Sequence, residues 1–175
     1  MDMASGVVGI EYSHFYVREQ FDPWLEDTDQ TPDFHTDEPV IITPGQITII
    51  SRVQCHDAWV TLMLTKSKPL QQMDPWQLLG TWSYLPVSGG LMGVWGVTGG
   101  PAAQPAGWLA DGEGFTPTLQ LDPAVRYAVH VYAKGRQDSR ARFEAAMARE
   151  EWGAHEGFED YVVAFNPTGH RPAGA

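Results

Sequence analysis

Three runs in this sequence carry side chains that do chemistry. The first is Asp33-x-His35-x-Asp37-Glu38, where imidazole and carboxylates together form a donor set for zinc or a related divalent ion. On an extended segment, Asp33, His35 and Asp37 would share one side. The competing reading is a solvated acidic face, since structural zinc takes four ligands from a firmly held frame. The balance favours no metal and no cofactor. The second run, Cys55-His56-Asp57, sets nucleophile, base and orienting carboxylate in a row. Triads are assembled in space, however, and neighbours on a strand point to opposite faces. This run reads better as a turn in which Asp57 bonds its own backbone. The third set, His14, His130 and Tyr132, lies within strand-like stretches. With Tyr12 and the tryptophans these residues would line a pocket between two sheets, where a histidine acts as acid or base. Their plainer role is as sheet histidines paired with neighbours. No phosphate-binding glycine loop, nucleophile elbow, CxxC or HExxH is present, so the residues leave open whether the chain is catalytic.

The formal net charge of −11 argues against a general affinity for nucleic-acid phosphates or anionic lipid. It permits either simple solubility or docking to a basic protein. The charge is concentrated. Glu19, Asp22, Glu26, Asp27, Asp29, Asp33, Asp37 and Glu38 occur without an intervening base, among Pro23, Pro32 and Pro39. No helical or alternating period runs through them, which predicts a long acidic loop over 19–39. Phe21, Trp24, Leu25 and Phe34 are the side chains that would pin it down.

The elements that position these residues follow from periodicity. The 175 residues suffice for one domain burying roughly 70% of its unfolded surface. Strand-formers fill Val7 to Val17. Val40 to Thr43 and Ile47 to Val53 flank the turn Pro44-Gly45. Ala58 to Thr65 alternates, with Ala58, Val60, Leu62 and Leu64 on one side and Trp59 on the other. Further strands are expected over Trp76–Leu85, Leu91–Val97, Phe115–Leu121, Tyr127–Lys134 and Tyr161–Phe165. One helix is expected over 138–152, capped by Asp138 or Ser139, with Arg140, Arg142 and Arg149 outward and Gly153 as its stop. Short strands at close spacing predict a mainly β fold. The expectation is a two-sheet antiparallel sandwich spanning 1–167, one helix near the C-terminus, and a flexible tail over 168–175. The one cysteine, Cys55, the lack of a leader-like N-terminus and the lack of a long apolar run point to a cytoplasmic protein without a membrane span.

Glu11-Tyr12-Ser13-His14-Phe15-Tyr16-Val17, the stretch Trp59 through Trp82 with Trp76-x-x-Leu79, and Tyr127 through Arg136 followed by Glu159-Asp160-Tyr161-Val162-Val163 carry a resemblance. Their order resembles a group of small actinobacterial β-sandwich proteins of unknown function. That group is similar in turn to competence protein J, an acidic nuclease inhibitor. The resemblance implies a non-enzymatic binding protein of inhibitor or immunity type, whose carboxylates imitate phosphate toward a basic nuclease or toxin. It carries over no catalytic residue. The expected partner-binding set is Trp24, Asp27, Asp29, Asp33, Phe34, Asp37 and Glu38. The alternative is a small-molecule-binding protein or enzyme with an aromatic and histidine-lined site at His14, His130 and Tyr132.

Overall fold

A computed structural model describes residues 2–20, 31–66, 74–103, 117–152 and 155–170. Among them are ten strands and one helix. They are β1 (Asp2–Ile10), β2 (His14–Glu19), β3 (Val40–Thr43), β4 (Gln46–Ile50), β5 (His56–Leu64), β6 (Trp76–Tyr84), β7 (Leu91–Gly96), β8 (Thr118–Gln120), β9 (Val125–Lys134), α1 (Ser139–Ala148) and β10 (Asp160–His170). The strands form two five-stranded sheets, ordered β1-β5-β10-β9-β6 and β3-β4-β2-β7-β8. Alternating side chains from both sheets meet in one core. Phe15 and Val17 of β2, Ala58, Val60 and Leu62 of β5, and Val129, Val131 and Ala133 of β9 all belong to it. Phe165 holds the Tyr84 and Tyr127 rings edge-on at 6.1 and 6.2 Å. Among the described residues no helix is long and apolar enough to cross a membrane.

The sandwich and its late helix are as the periodicity predicts, with differences in detail. First, the pairing is not wholly antiparallel. Tyr161–Phe165 of β10 runs parallel to Val60–Leu64 of β5, because β10 returns antiparallel to β9 and is inserted between β9 and β5. Second, Val7 to Val17 is not one strand. The chain turns at Tyr12 (φ 55°) and Ser13 (φ 64°) and passes from one sheet to the other. Each left-handed residue costs roughly 1–2 kcal/mol when it is not glycine, and no glycine, asparagine or aspartate marks the spot. The turn is held from outside: Ser13 N donates to Gln54 O at 3.0 Å and Ser51 N to Ser13 O at 2.8 Å.

Third, α1 has no side-chain cap. The Asp138 carboxylate pairs with Arg142 at 3.0 Å instead. Arg142 is not simply outward, since its guanidinium also donates to the carbonyls of Gly135, Gly157 and Phe158. α1 closes one end of the sandwich by packing Ala146, Phe143 and Met147 on Val53 and Phe158. Fourth, residues 168–170 continue β10, with Gly169 opposite Arg126 and His170 opposite Val125. Fifth, Glu19 does not open an exposed acidic loop. It ends β2 in phase with Phe15 and Val17 and is 1% exposed. Its Oε1 accepts from Tyr84 Oη (2.8 Å) and Val87 N (2.7 Å), and its Oε2 from Ser88 N (2.8 Å) and Gly90 N (3.1 Å). Burial, and then the Glu19 charge, push the Tyr84 hydroxyl pKa up.

A second carboxylate, Glu159, is fully buried at the helix end. Its Oε1 accepts from Ser139 Oγ at 2.5 Å and Arg52 N at 3.1 Å. Its Oε2 accepts from Arg136 Nη1 at 3.1 Å and from the Tyr161 hydroxyl. Beside it, Ser51 Oγ and His56 Nε2 lie 3.1 Å apart. His56 therefore opens β5 as a buried residue rather than sitting in a turn, while Cys55 is exposed.

Two outcomes are expected. Glu19→Gln sets an amide nitrogen against backbone donors and should cost at least about 3 kcal/mol in urea unfolding. Burial holds the His56 pKa below its ordinary 6.5, against the opposing pull of Glu159. Below pH 6.5 the unfolded chain thus binds the proton first. Stability should fall as pH drops from about 6.5, by at most about 1.4 kcal/mol per pH unit, and be unaffected by this group above it. His130, lowered by burial as well, contributes with the same sign. The slope should shrink in His56→Gln, and an unchanged slope would contradict the assignment.

Candidate functional site

The described part of the acidic stretch, 31–39, lies at the outer face of the β3-β4-β2-β7-β8 sheet. It is shaped by its own short side chains. Asp33 Oδ1 accepts from His35 N at 2.9 Å, and Thr36 Oγ1 from Glu38 N at 3.2 Å; both are local turns that Asp and Thr favour. Pro32 is buried and Pro39 O accepts from Ile50 N, which fixes both ends of the segment. Phe34, 48% exposed, sets its ring 4.7 Å from the His14 ring. His14 points outward because Phe15 and Val17 take the core-facing positions. Its Nδ1 lies 2.9 Å from Tyr12 O and its Nε2 2.9 Å from Tyr16 Oη. Burial raises the Tyr16 pKa, opposed by the Arg18 charge.

The patch continues to Tyr12, 67% exposed on its left-handed turn. Beyond Tyr12 lies a cavity of about 490 Å³ whose lining includes Ser13, Arg52, Gln54, Arg140 and Phe143. Asp33, His35, Asp37 and Glu38 are all exposed beside Phe34. The surface thus offers two accessible aromatic rings, Phe34 among carboxylates and Tyr12 at the rim of a cavity that also holds Arg52 and Arg140; exposed rings and charges of this kind can anchor and steer protein contacts.

Trp24, Asp27 and Asp29 fall outside the described residues. Asp33, His35 and Asp37 are not brought together as metal ligands: among the described residues no group of three His, Cys, Asp or Glu is placed to hold an ion. Nor do His14, His130 and Tyr132 share a pocket. His130 and Tyr132 are out of phase with the core residues Val129, Val131 and Ala133, and so lie on the outer face of the other sheet. There His130 Nδ1 meets Thr81 Oγ1 at 2.9 Å, and Tyr132 packs with Met63, Trp76 and Ala164. The space between the sheets is filled by the core itself. The sequence suggests a pocket between the sheets for Tyr12 rather than an exposed turn, and no buried role for Glu159; the first is betrayed only by its backbone and the second only by its partners.

The architecture is that of a two-sheet β-sandwich closed at one end by a single helix. No family model and no curated protein matches the sequence. Among solved structures the chain is similar to ComJ, inhibitor of the DNA degrading activity of NucA, from Bacillus subtilis. The match has a TM-score of 0.52 and 10% identity over 96% of each chain. It is also similar to the product of crocagin biosynthetic gene J, with a TM-score of 0.46 and 12% identity over 95% of this chain and 97% of the other. At these identities the likeness to ComJ is one of fold.

Tyr12→Asn places a residue that tolerates left-handed backbone at the turn. Because the ring is exposed, little packing is lost. The variant should be more stable by about 0.5–1 kcal/mol in urea titration. A loss of stability would mean that the ring, not the backbone, governs the turn.

Proposed function

We propose that this protein is a non-enzymatic binding protein of inhibitor or immunity type, directed at a basic protein such as a nuclease or toxin. The observation that carries the reading is the exposed Phe34 ring seated on His14, with Tyr12 alongside and Asp33, Asp37 and Glu38 at its border. The fold shared with a nuclease inhibitor supports the same class, by analogy of scaffold rather than of site.

A nuclease presents a cleft built to hold phosphate. Exposed carboxylates complement such a cleft and speed encounter, while apolar anchors slow dissociation. The net charge of −11 directs that encounter toward basic surfaces and away from nucleic acid itself. Trp24, Asp27 and Asp29 extend the proposed contact set along the same stretch.

The test is capture of partner from a lysate of the source organism at about 50 and about 500 mM salt, with the captured protein identified by mass spectrometry. A basic nuclease or toxin should be retained at low salt and largely released at high salt. Asp33→Asn, which keeps the local turn acceptor, combined with Asp37→Lys and Glu38→Lys, should weaken capture at least about tenfold. Phe34→Ala should weaken it at both salt concentrations. Capture that ignores both salt and these substitutions would refute the reading.

A further inference from the structure

The outer face of the β3-β4-β2-β7-β8 sheet holds a second feature, resting on residues separate from the acidic segment. In the β2–β7 register Arg18 lies opposite Gly93, and Tyr16 opposite Trp95. Gly93 carries no side chain, which lets the Trp95 indole lie close over its backbone. A Cβ built there would stand 3.2 Å from Trp95 Nε1 and 3.7 Å from Gln20 Nε2. The indole N–H and the glutamine amide therefore meet above the glycine backbone. The Arg18 guanidinium stacks on the same indole, 4.2 Å from its centroid.

These groups have donors to spare. Trp95 Nε1 is buried without a hydrogen-bond partner. The Arg18 side chain makes no hydrogen bond or ion pair among the described residues, although the chain carries 22 Asp and Glu against 11 Lys and Arg. Burial lowers the Arg18 pKa, and the only compensation is the nearby Tyr16. An indole and a guanidinium are donors only, and an unmatched half-buried cation is costly to keep. What they lack is an acceptor, and the planar guanidinium fork favours a carboxylate or phosphate group.

We infer that Arg18, Gln20 and Trp95 form, over Gly93, a binding site for the oxyanion group of a small ligand, a carboxylate or a phosphate. The surrounding negative charge works against a polyanion such as nucleic acid. The site therefore suits a compact, singly or doubly charged molecule whose apolar part rests on the Trp95 and Tyr16 side of the sheet.

The test is titration of the intact, ¹⁵N-labelled protein with sodium acetate and, separately, inorganic phosphate at fixed ionic strength, following the indole N–H resonances. Trp95→Phe identifies the Trp95 signal. That resonance should shift saturably, with a dissociation constant on the order of 1–10 mM for at least one anion. The anion that binds more tightly assigns the class. Arg18→Gln should weaken binding at least about tenfold. Gly93→Ala, which removes no donor but sets a methyl 3.2 Å from the Trp95 indole nitrogen, should weaken it as well. Arg126→Gln, changing an exposed arginine whose guanidinium donates to Ser83 Oγ, should leave it unchanged. No saturable shift with either anion, or an equal shift in Arg18→Gln and Gly93→Ala, overturns the inference.

Discussion

One buried carboxylate holds three separate connections of this chain in register. Glu159 stands at the entrance to β10 and accepts from the backbone of the β4–β5 connection at Arg52, from Arg136 in the β9–α1 connection, and from Ser139 at the start of α1. Arg136 extends the tie by donating to Ile50 O at 2.7 Å. A charge taken out of water is tolerated only when it is paired and its remaining lone pairs are satisfied. Every element supplying one of those donors is therefore constrained together. The cost of separating them is the cost of a buried, unmatched ion.

The exposed surface inherits this constraint. The β4–β5 connection that Glu159 anchors is the segment that bonds the Tyr12-Ser13 turn on both sides. That turn carries a backbone geometry its own residues disfavour. It persists because Ser51 and Gln54 are fixed from below, and it in turn sets Tyr12 O where His14 Nδ1 meets it. His14 then presents the ring on which Phe34 rests. A chain of contacts thus runs from the interior charge to the accessible aromatic patch. At the other end of β2, Glu19 plays the matching part for the 87–90 turn.

The sandwich was legible because its strands obey a period of two. Ala58, Val60 and Leu62 alternate inward as their types require. The same rule places His130 opposite Val129 and Val131, so parity alone already removes it from an inter-sheet pocket. The parallel β5–β10 pair was not legible, since local patterns carry no strand direction. The Tyr12-Ser13 turn was hidden because neither residue is one that favours left-handed backbone and, besides the local bond from His14 N to Glu11 O, the hydrogen bonds that hold it come from about forty residues away in sequence. Glu19 was hidden by its neighbours: it opens a run of acids, yet its phase with Phe15 and Val17 sends it inward. Net charge and acidic spacing describe a surface only for side chains that stay on it. Trp95 reads simply as an aromatic in a strand, and its significance depends on Gly93 and Arg18 lying beside it across the sheet.

Local stability can be read residue by residue, so the organising role of Glu159 has a direct measurement: amide hydrogen exchange of the native protein and of Glu159→Gln. If the carboxylate ties the helix end together, exchange should accelerate across 51–55, α1 and the Tyr12-Ser13 turn, while Val60–Leu62 and Val129–Val131 stay protected. Uniform acceleration over the whole chain, or none at the helix end, would contradict it.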